Sequence, residues 1–363
     1  MNTKERILAL LKGMSELKAS DMHLRPGSKP ILRINGDLKP VNQPELTPED
    51  TDNIAAELCS EEQFNEFKKR YEVDLAYNLE GTARFRINVF KQRGVTNLAL
   101  RLIPSVVKSI DELDLPESLK KISLSSRGLV LVTGTTGSGK STTLAAMIDY
   151  INKNASKHII TVEDPIEYIH KDNKSIVAQR ELGIDTFSYN DALRNIVRQD
   201  PDVIFIGEMR DMETMSAALT SAQTGHLVLS TIHTIDAMQT VTRIVDIYPP
   251  FQQNQIRLQL ADSLCAVISQ RLLPKKNGEG MIPAVEVLVA TSLIRNLIEE
   301  NDFSSISEQL EKGDYYGMQT FNQALEKLCR AEKVDIEDAK RAATNPEDLL
   351  LRLRGIKSGS GTT

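Results

Sequence analysis

The chain has 363 residues, 40% of them hydrophobic, a formal net charge of −6, and three scattered cysteines, Cys59, Cys265 and Cys329, that form no C-x-x-C pair. This length supports two ordinary domains with separate cores, the cysteine spacing argues against a disulfide framework or a zinc site, and the acidic balance removes any broad attraction to nucleic acid while leaving a local basic channel open. No apolar run approaches the roughly 18 residues that cross a bilayer, and "MNTKERILALLKG" reads as an amphipathic helix without a signal-peptide cleavage site, so the expectation is a cytoplasmic protein, or one attached to a membrane through partners, with buried thiols.

Residues 1 to about 104 alternate helical segments such as "TPEDTDNIAAELCSEEQFNEFKKR" with the short strands "PILRING", "VDLAYNL", "ARFRINVFKQ" and "NLALRLIP", the pattern of an α+β domain. Arg84, Arg86 and Arg101 lie on or beside its last strands. Residues 105–126 contain no sustained strand and read as a linker that gains a short helix. From Arg127 to Ala290 strands and helices alternate as in a largely parallel sheet covered on both faces.

The first strand of that region, "RGLVLVTG", runs into "GTTGSGKSTT". Gly134-x-x-x-x-Gly139-Lys140-Ser141 is the P-loop spacing: the glycines let successive N–H groups face a phosphate chain, Lys140 supplies a point charge, and the Ser141 hydroxyl ligates Mg2+. Leu144, Met147, Ile148 and Ile151 follow at helical spacing, so the loop opens a helix whose N-terminus adds its own partial positive charge. The phosphates of a nucleotide are expected on Gly134, Thr135, Thr136, Gly137, Ser138, Gly139, Lys140, Ser141 and Thr142.

Three further strands end in polar groups: Glu163 and Asp164 after "HIITV", Glu208 after "VIFIG", and His233 after "HLVLSTI". Ligands of open α/β sheets bind beyond the carboxyl ends of the strands, so these groups should converge with the P-loop. Glu208, in "PDVIFIGEMRD", has the place of the second nucleotide motif and takes the metal role alongside Ser141. Glu163 is then available to polarise the attacking water, with capping of the turn into "DPIEY" as the alternative for both it and Asp164. His226 and His233 bracket one strand seven residues apart, about 23 Å of extended chain, so they cannot share a metal. His233 is the candidate for touching the γ-phosphate, and His226 for the far edge or a subunit contact. Arg194 and Arg198, at i and i+4 of "NDALRNIVRQ", are candidates for reaching a phosphate in another domain or subunit.

From Thr291 onward the chain reads as helical, ending in the flexible "SGSGTT". In "SLIRNLIEEN" Leu293, Leu297 and Ile298 form an apolar stripe. Arg295 and Asn296 point elsewhere and are candidates for a coupling surface.

The P-loop "GTTGSGKSTT", the aspartate box "ITVEDPIEYIH", the second nucleotide motif "RQDPDVIFIGEMRD" and the histidine box "TGHLVLSTIHT" occur in an order that resembles the secretion ATPase superfamily, the hexameric motors of type II and type IV secretion and type IV pili. The opening "LKASDMHLRPGSKPILRINGDL" and the segment "SLIRNLIEEN" are similar to the retraction motors of type IV pili, although Ser292, Leu293 and Glu299 depart from that segment's usual A-I-R-N-L-I-R-E. The tetracysteine module and added amino-terminal domain of extension motors are not seen.

This resemblance implies an α/β protein: a PAS-like α+β domain over 1–104, a linker over 105–126, a RecA-like P-loop ATPase domain over 127–290, and a helical region with a flexible tail over 291–363. It places catalysis on Glu163, maps the arginines of a composite site onto Arg86 and Arg101, and implies ATP and Mg2+. The expected partners are further copies in a homohexamer, an inner-membrane pilus platform protein and a paralogous motor ATPase, with no nucleic acid. The expected place is cytoplasmic, at the inner membrane beneath the pilus. The alternatives are an accessory retraction paralogue, an extension or type II secretion motor, and a P-loop nucleic-acid translocase, which the acidic balance disfavours.

Overall fold

The computed structural model describes residues 2–356 apart from 35, 80–82, 104–105 and 279, so the terminal "SGSGTT" lies outside the described residues. The chain divides into two compact units, Met1–Val106 and Val107–Thr363.

The first unit runs α1 (Thr3–Glu16), β1 (Asp21–Leu24), β2 (Ile31–Ile34), β3 (Asp37–Pro40), α2 (Pro48–Leu58), α3 (Glu61–Arg70), β4 (Glu72–Leu79), β5 (Ala83–Gln92) and β6 (Val95–Ile103). All three helices begin with capping boxes, on Asn2, Thr47 and Ser60, which satisfy two orphan N–H groups at each start. The strands form one antiparallel sheet, ordered β3-β2-β1-β6-β5-β4. Period-two alternation sends Met22, Leu24, Phe85, Ile87, Val89, Leu98 and Leu100 into a core with Ile7, Leu11, Met14 and Ile54 of the helices. On the alternate positions a row of charge crosses the strands: Arg33, Asp21, Arg101 and Arg86 are successive register partners.

The second unit contains α4 (Ser118–Ser123), β7 (Gly128–Thr133), α5 (Lys140–Asn154), β8 (His158–Glu163), β9 (Ile176–Glu181), α6 (Tyr189–Ile196), β10 (Val203–Ile206), α7 (Met212–Gln223), β11 (Leu227–Ile232), α8 (Ala237–Asp246), α9 (Pro250–Ser263), β12 (Leu264–Pro274) and β13 (Met281–Val289). It closes with α10 (Ser292–Glu299), α11 (Ile306–Lys312), a 3-10 turn (Asp314–Tyr316), α12 (Phe321–Arg330), α13 (Ile336–Ala342) and α14 (Pro346–Leu353). Its sheet is ordered β13-β12-β7-β11-β10-β8-β9. All strands are parallel except β13, which pairs antiparallel with β12.

The strands β7, β10 and β11 are buried at every position, which is why they read as unbroken apolar runs. One face packs Val130, Val132, Ile159 and Leu229 against Leu144, Met147 and Ile148 of α5. The other packs Leu131, Val162, Ile206 and Val228 against α6 to α10.

Three expectations are corrected here. The linker expected over 105–126 carries its short helix, α4, but its described part is docked rather than free: Ile110, Leu115, Leu119 and Ile122 are buried in the same cluster as α5. Full burial of such side chains is worth about 1.5–3 kcal/mol each, which offsets part of the cost of ordering the segment. The region 127–290 also does not alternate to its end, because β12 and β13 form a hairpin. The three cysteines are half-buried rather than buried.

Candidate active site

The chain leaves β7 into the P-loop at Thr133, whose hydroxyl donates to Ser269 Oγ at 2.9 Å. A methyl group on Gly134 would lie 2.6 Å from the Gln270 carbonyl, and one on Gly139 2.7 Å from Gln270 Nε2. Both positions have φ in the left-handed range, +146° and +90°, so glycine is required by space and by backbone. Gln270, itself buried, accepts from the Thr143 hydroxyl at 2.7 Å and so backs the loop from β12. Thr135, Thr136 and Gly137 form the exposed tip, and Ser138 and Lys140 are buried. Lys140 Nζ donates to the carbonyls of Gly134 at 2.8 Å and Thr135 at 3.0 Å. Burial pushes its ammonium below the usual lysine value, opposed by the charges of Glu208 and Glu167.

The hydroxyl of Ser138 is buried with no hydrogen-bond partner. An unmet donor inside a phosphate-binding turn fits a bound anion. Ser141 and Thr142 open α5, and the Thr142 and Tyr168 hydroxyls are 2.8 Å apart.

Parallel pairing in the order β7, β11, β10, β8 lines up their carboxyl ends. Along that edge stand the P-loop, His233, Glu208 and Glu163. His233 Nε2 is 3.2 Å from Glu208 Oε1, and Arg210 holds Glu208 Oε2 at 2.7 Å. Glu163 is buried, and its Oε1 accepts from the Thr161 hydroxyl at 2.6 Å and Gln179 Nε2 at 3.1 Å. Burial pushes its carboxyl up to about 7 despite those hydrogen bonds. Asp164 is exposed.

The remaining candidates are scattered. His226 sits at the amino end of β11, with Nδ1 3.0 Å from the Ser221 carbonyl and 3.2 Å from the Thr224 hydroxyl, so it locks the end of α7 far from the strand tips. Arg194 and Arg198 are exposed, and Arg198 lies past the end of α6, bonded to the Arg194 carbonyl at 3.3 Å. In the first unit Arg101 Nε pairs with Asp21 at 2.9 Å and Arg86 Nε with Asp74 at 3.6 Å.

Arg295 corrects an expectation. It does not face outward for coupling: its guanidinium donates to the carbonyls of Ala261, Asp262, Leu264 at 2.8 Å and Ala290 at 3.1 Å, clamping the end of α9. The apolar stripe of α10 is Ile294, Leu297 and Ile298, while Leu293 is half exposed. Of the proposed coupling pair only Asn296 is exposed.

Sequence reasoning missed Arg210, Thr161, Gln179, Tyr168 and Gln270. A signal existed for Gln270, since "SQ" interrupts an otherwise apolar strand and a buried polar pair needs a reason. None marked Gln179, because "IVAQRE" is too weakly patterned to announce a strand.

The profile of the type II/IV secretion system protein family matches residues 3–344. A twitching motility protein of Neisseria gonorrhoeae is 46% identical over 320 residues, 88% of this chain and 86% of that one. The type IV pilus retractation ATPase PilT of Pseudomonas aeruginosa is 42% identical over 342 residues, 94% of this chain and 99% of that one. A crystal structure of the pilus retraction motor PilT with bound ADP aligns with a TM-score of 0.89 at 48% identity, covering 94% of this chain and 98% of that one. The second unit accordingly has the RecA-like ATPase fold, and the chain belongs to the type II/IV secretion system protein family.

Proposed function

We propose that this protein hydrolyses ATP to drive retraction of type IV pili, acting as a ring of six copies on the cytoplasmic side of the inner membrane against a membrane-embedded platform protein. The observation that carries the chemistry is the row of P-loop, His233, Glu208 and Glu163 on one sheet edge. Retraction, rather than another use of ATP, is supported by similarity to PilT along nearly the whole of both chains.

In this reading the P-loop N–H groups and Lys140 bind the phosphates, and the unmet Ser138 hydroxyl finds its acceptor there. The residues present fit Mg2+, which binds through one or two protein oxygens plus substrate phosphates. Ser141 and Glu208 would hold it, and when bound it neutralises charge on the phosphates. Glu163 orients the attacking water and accepts its proton, and His233, on Glu208, contacts the γ-phosphate. Arg86 and Arg101 of one copy supply charge to the site of another, which is why the ring is required. Among the described residues no helix is long and apolar enough to cross a membrane; in this reading the platform partner supplies the membrane attachment.

The test is deletion of the gene followed by counting of surface pili. Hyperpiliated cells that no longer twitch are expected, and Glu163→Gln should not restore motility. Bald cells would assign the protein to extension, and rescue by Glu163→Gln would remove Glu163 from the chemistry.

A further inference from the structure

We propose that Gln179, on the edge strand β9, is a positioning residue that holds the Glu163 carboxylate in its working orientation. This rests on the catalytic reading of Glu163 given above. Gln179 is the register partner of Thr161 across the β8–β9 pair, and residues two apart on a strand share a face. Thr161 and Gln179 therefore both reach the carboxylate at the end of β8, and both donate to the same oxygen, Oε1.

An amide has one acceptor oxygen and two donor hydrogens. All three are used here. Gln179 Oε1 accepts from the His170 backbone N–H at 2.8 Å, while Nε2 donates to Glu163 Oε1 at 3.1 Å and to the Tyr168 carbonyl at 2.8 Å. Turning the amide over would set its oxygen against a carboxylate and a carbonyl and its NH2 against an N–H, so only one orientation is permitted. The side chain thus pins three things together: the carboxylate, the loop at Tyr168, and the backbone at His170. Tyr168 in turn meets Thr142 in the first turn of the P-loop helix, so the carboxylate and the phosphate loop share one chain of hydrogen bonds. Chymical alternatives of similar size fail, because leucine offers no donor and glutamate offers only oxygen.

The other titratable groups around Glu163 do not substitute for this contact. Asp164 and Glu167 follow it in the chain, Glu181 is its register partner on β9, and Glu208 lies at the end of the adjacent β10; like charge from such groups disfavours the ionised form, and Glu167 acts both ways, its backbone hydrogen bond favouring the carboxylate and its charge opposing it. Tyr189 and His170 stay neutral near pH 7, since burial raises the phenol and lowers the imidazole to about 4. Lys140 is turned onto its own loop carbonyls, and Arg210 is paired with Glu208.

The experiment titrates 13C-labelled glutamate carboxyls by NMR in the nucleotide-free protein, with the Glu163 signal identified by its loss in Glu163→Gln. Removing a donor hydrogen bond destabilises the ionised form, so in Gln179→Leu the Glu163 midpoint should move up by about half to one pH unit. Turnover should fall about tenfold with KM for ATP unchanged. A Tm close to that of the unaltered protein guards against a folding defect, and Gln179→Met, similar in length and likewise without a donor, should shift the midpoint in the same direction. An unshifted midpoint in both variants, or a fall in turnover matched by lost ATP binding without a shift, overturns the proposal. Because the shift is read without ATP, it is separable from the catalytic reading, which falls instead if Glu163→Gln turns over normally.

Discussion

A carboxyl group that accepts a proton works only while ionised, and burial makes ionisation of Glu163 costly. With its value pushed up to about 7, turnover should decline as pH falls through that value and recover above it, a one-proton limb absent from measurements of ATP binding, which depends on other groups. A pH–rate profile flat from pH 5.5 to 8 would contradict this assignment. Lys140→Ala should instead weaken nucleotide binding at least tenfold at every pH, read with a fluorescent ATP analogue, because it deletes the phosphate charge. These two residues were legible in the sequence since each belongs to a recognisable motif, Glu163 closing the strand β8 and Lys140 opening the helix α5 after the P-loop glycines. Gln179 and Thr161 were not, because their role depends on which strand lies beside β8, and no local pattern states that.

The end of α9 illustrates what helical spacing cannot give. The last carbonyls of a helix need partners, and Arg295 reaches from α10 to those of Ala261 and Asp262 and on to Leu264. Spacing places a Cα on a helix face, but a long arginine side chain can fold back along the surface and spend its donors elsewhere. Arg295→Ala should therefore destabilise the protein by roughly 2–4 kcal/mol through unsatisfied carbonyls, visible as a lowered Tm, with Arg295→Lys recovering only part. An unchanged Tm in Arg295→Ala would mean that water replaces the clamp. Asn296→Ala, at an exposed position, should leave Tm unaltered. A similar device joins two other elements: Glu286 of β13 accepts from the first N–H of α8 at 2.9 Å and from Phe321 at the start of α12. Strands of the buried parallel sheet were legible as β-branched runs, whereas β9 and the docked segment 107–126 needed the tertiary structure to define them.

At the scale of the whole molecule, the order of four motifs was enough to specify the RecA-like unit, while assembly rests on the proposal that Arg86 and Arg101 serve another copy. Mass photometry with ATP and Mg2+ should then resolve rings of six, and a protein that stays monomeric while hydrolysing ATP at full rate would defeat the shared-site reading. The position of β9 at the margin of the seven-stranded sheet has its own consequence for motion. Interior strands such as β10 release their amide protons to solvent only when the entire unit opens, but a marginal strand can detach locally at a fraction of that free energy. Each such fraying event would carry Gln179 away from Glu163 while β8 stays in place. The Glu163 carboxylate is thus bonded on one side to the interior strand β8 and on the other to an edge strand that can detach locally, so under the catalytic proposal the pace of hydrolysis would be governed by how firmly the sheet's rim is held.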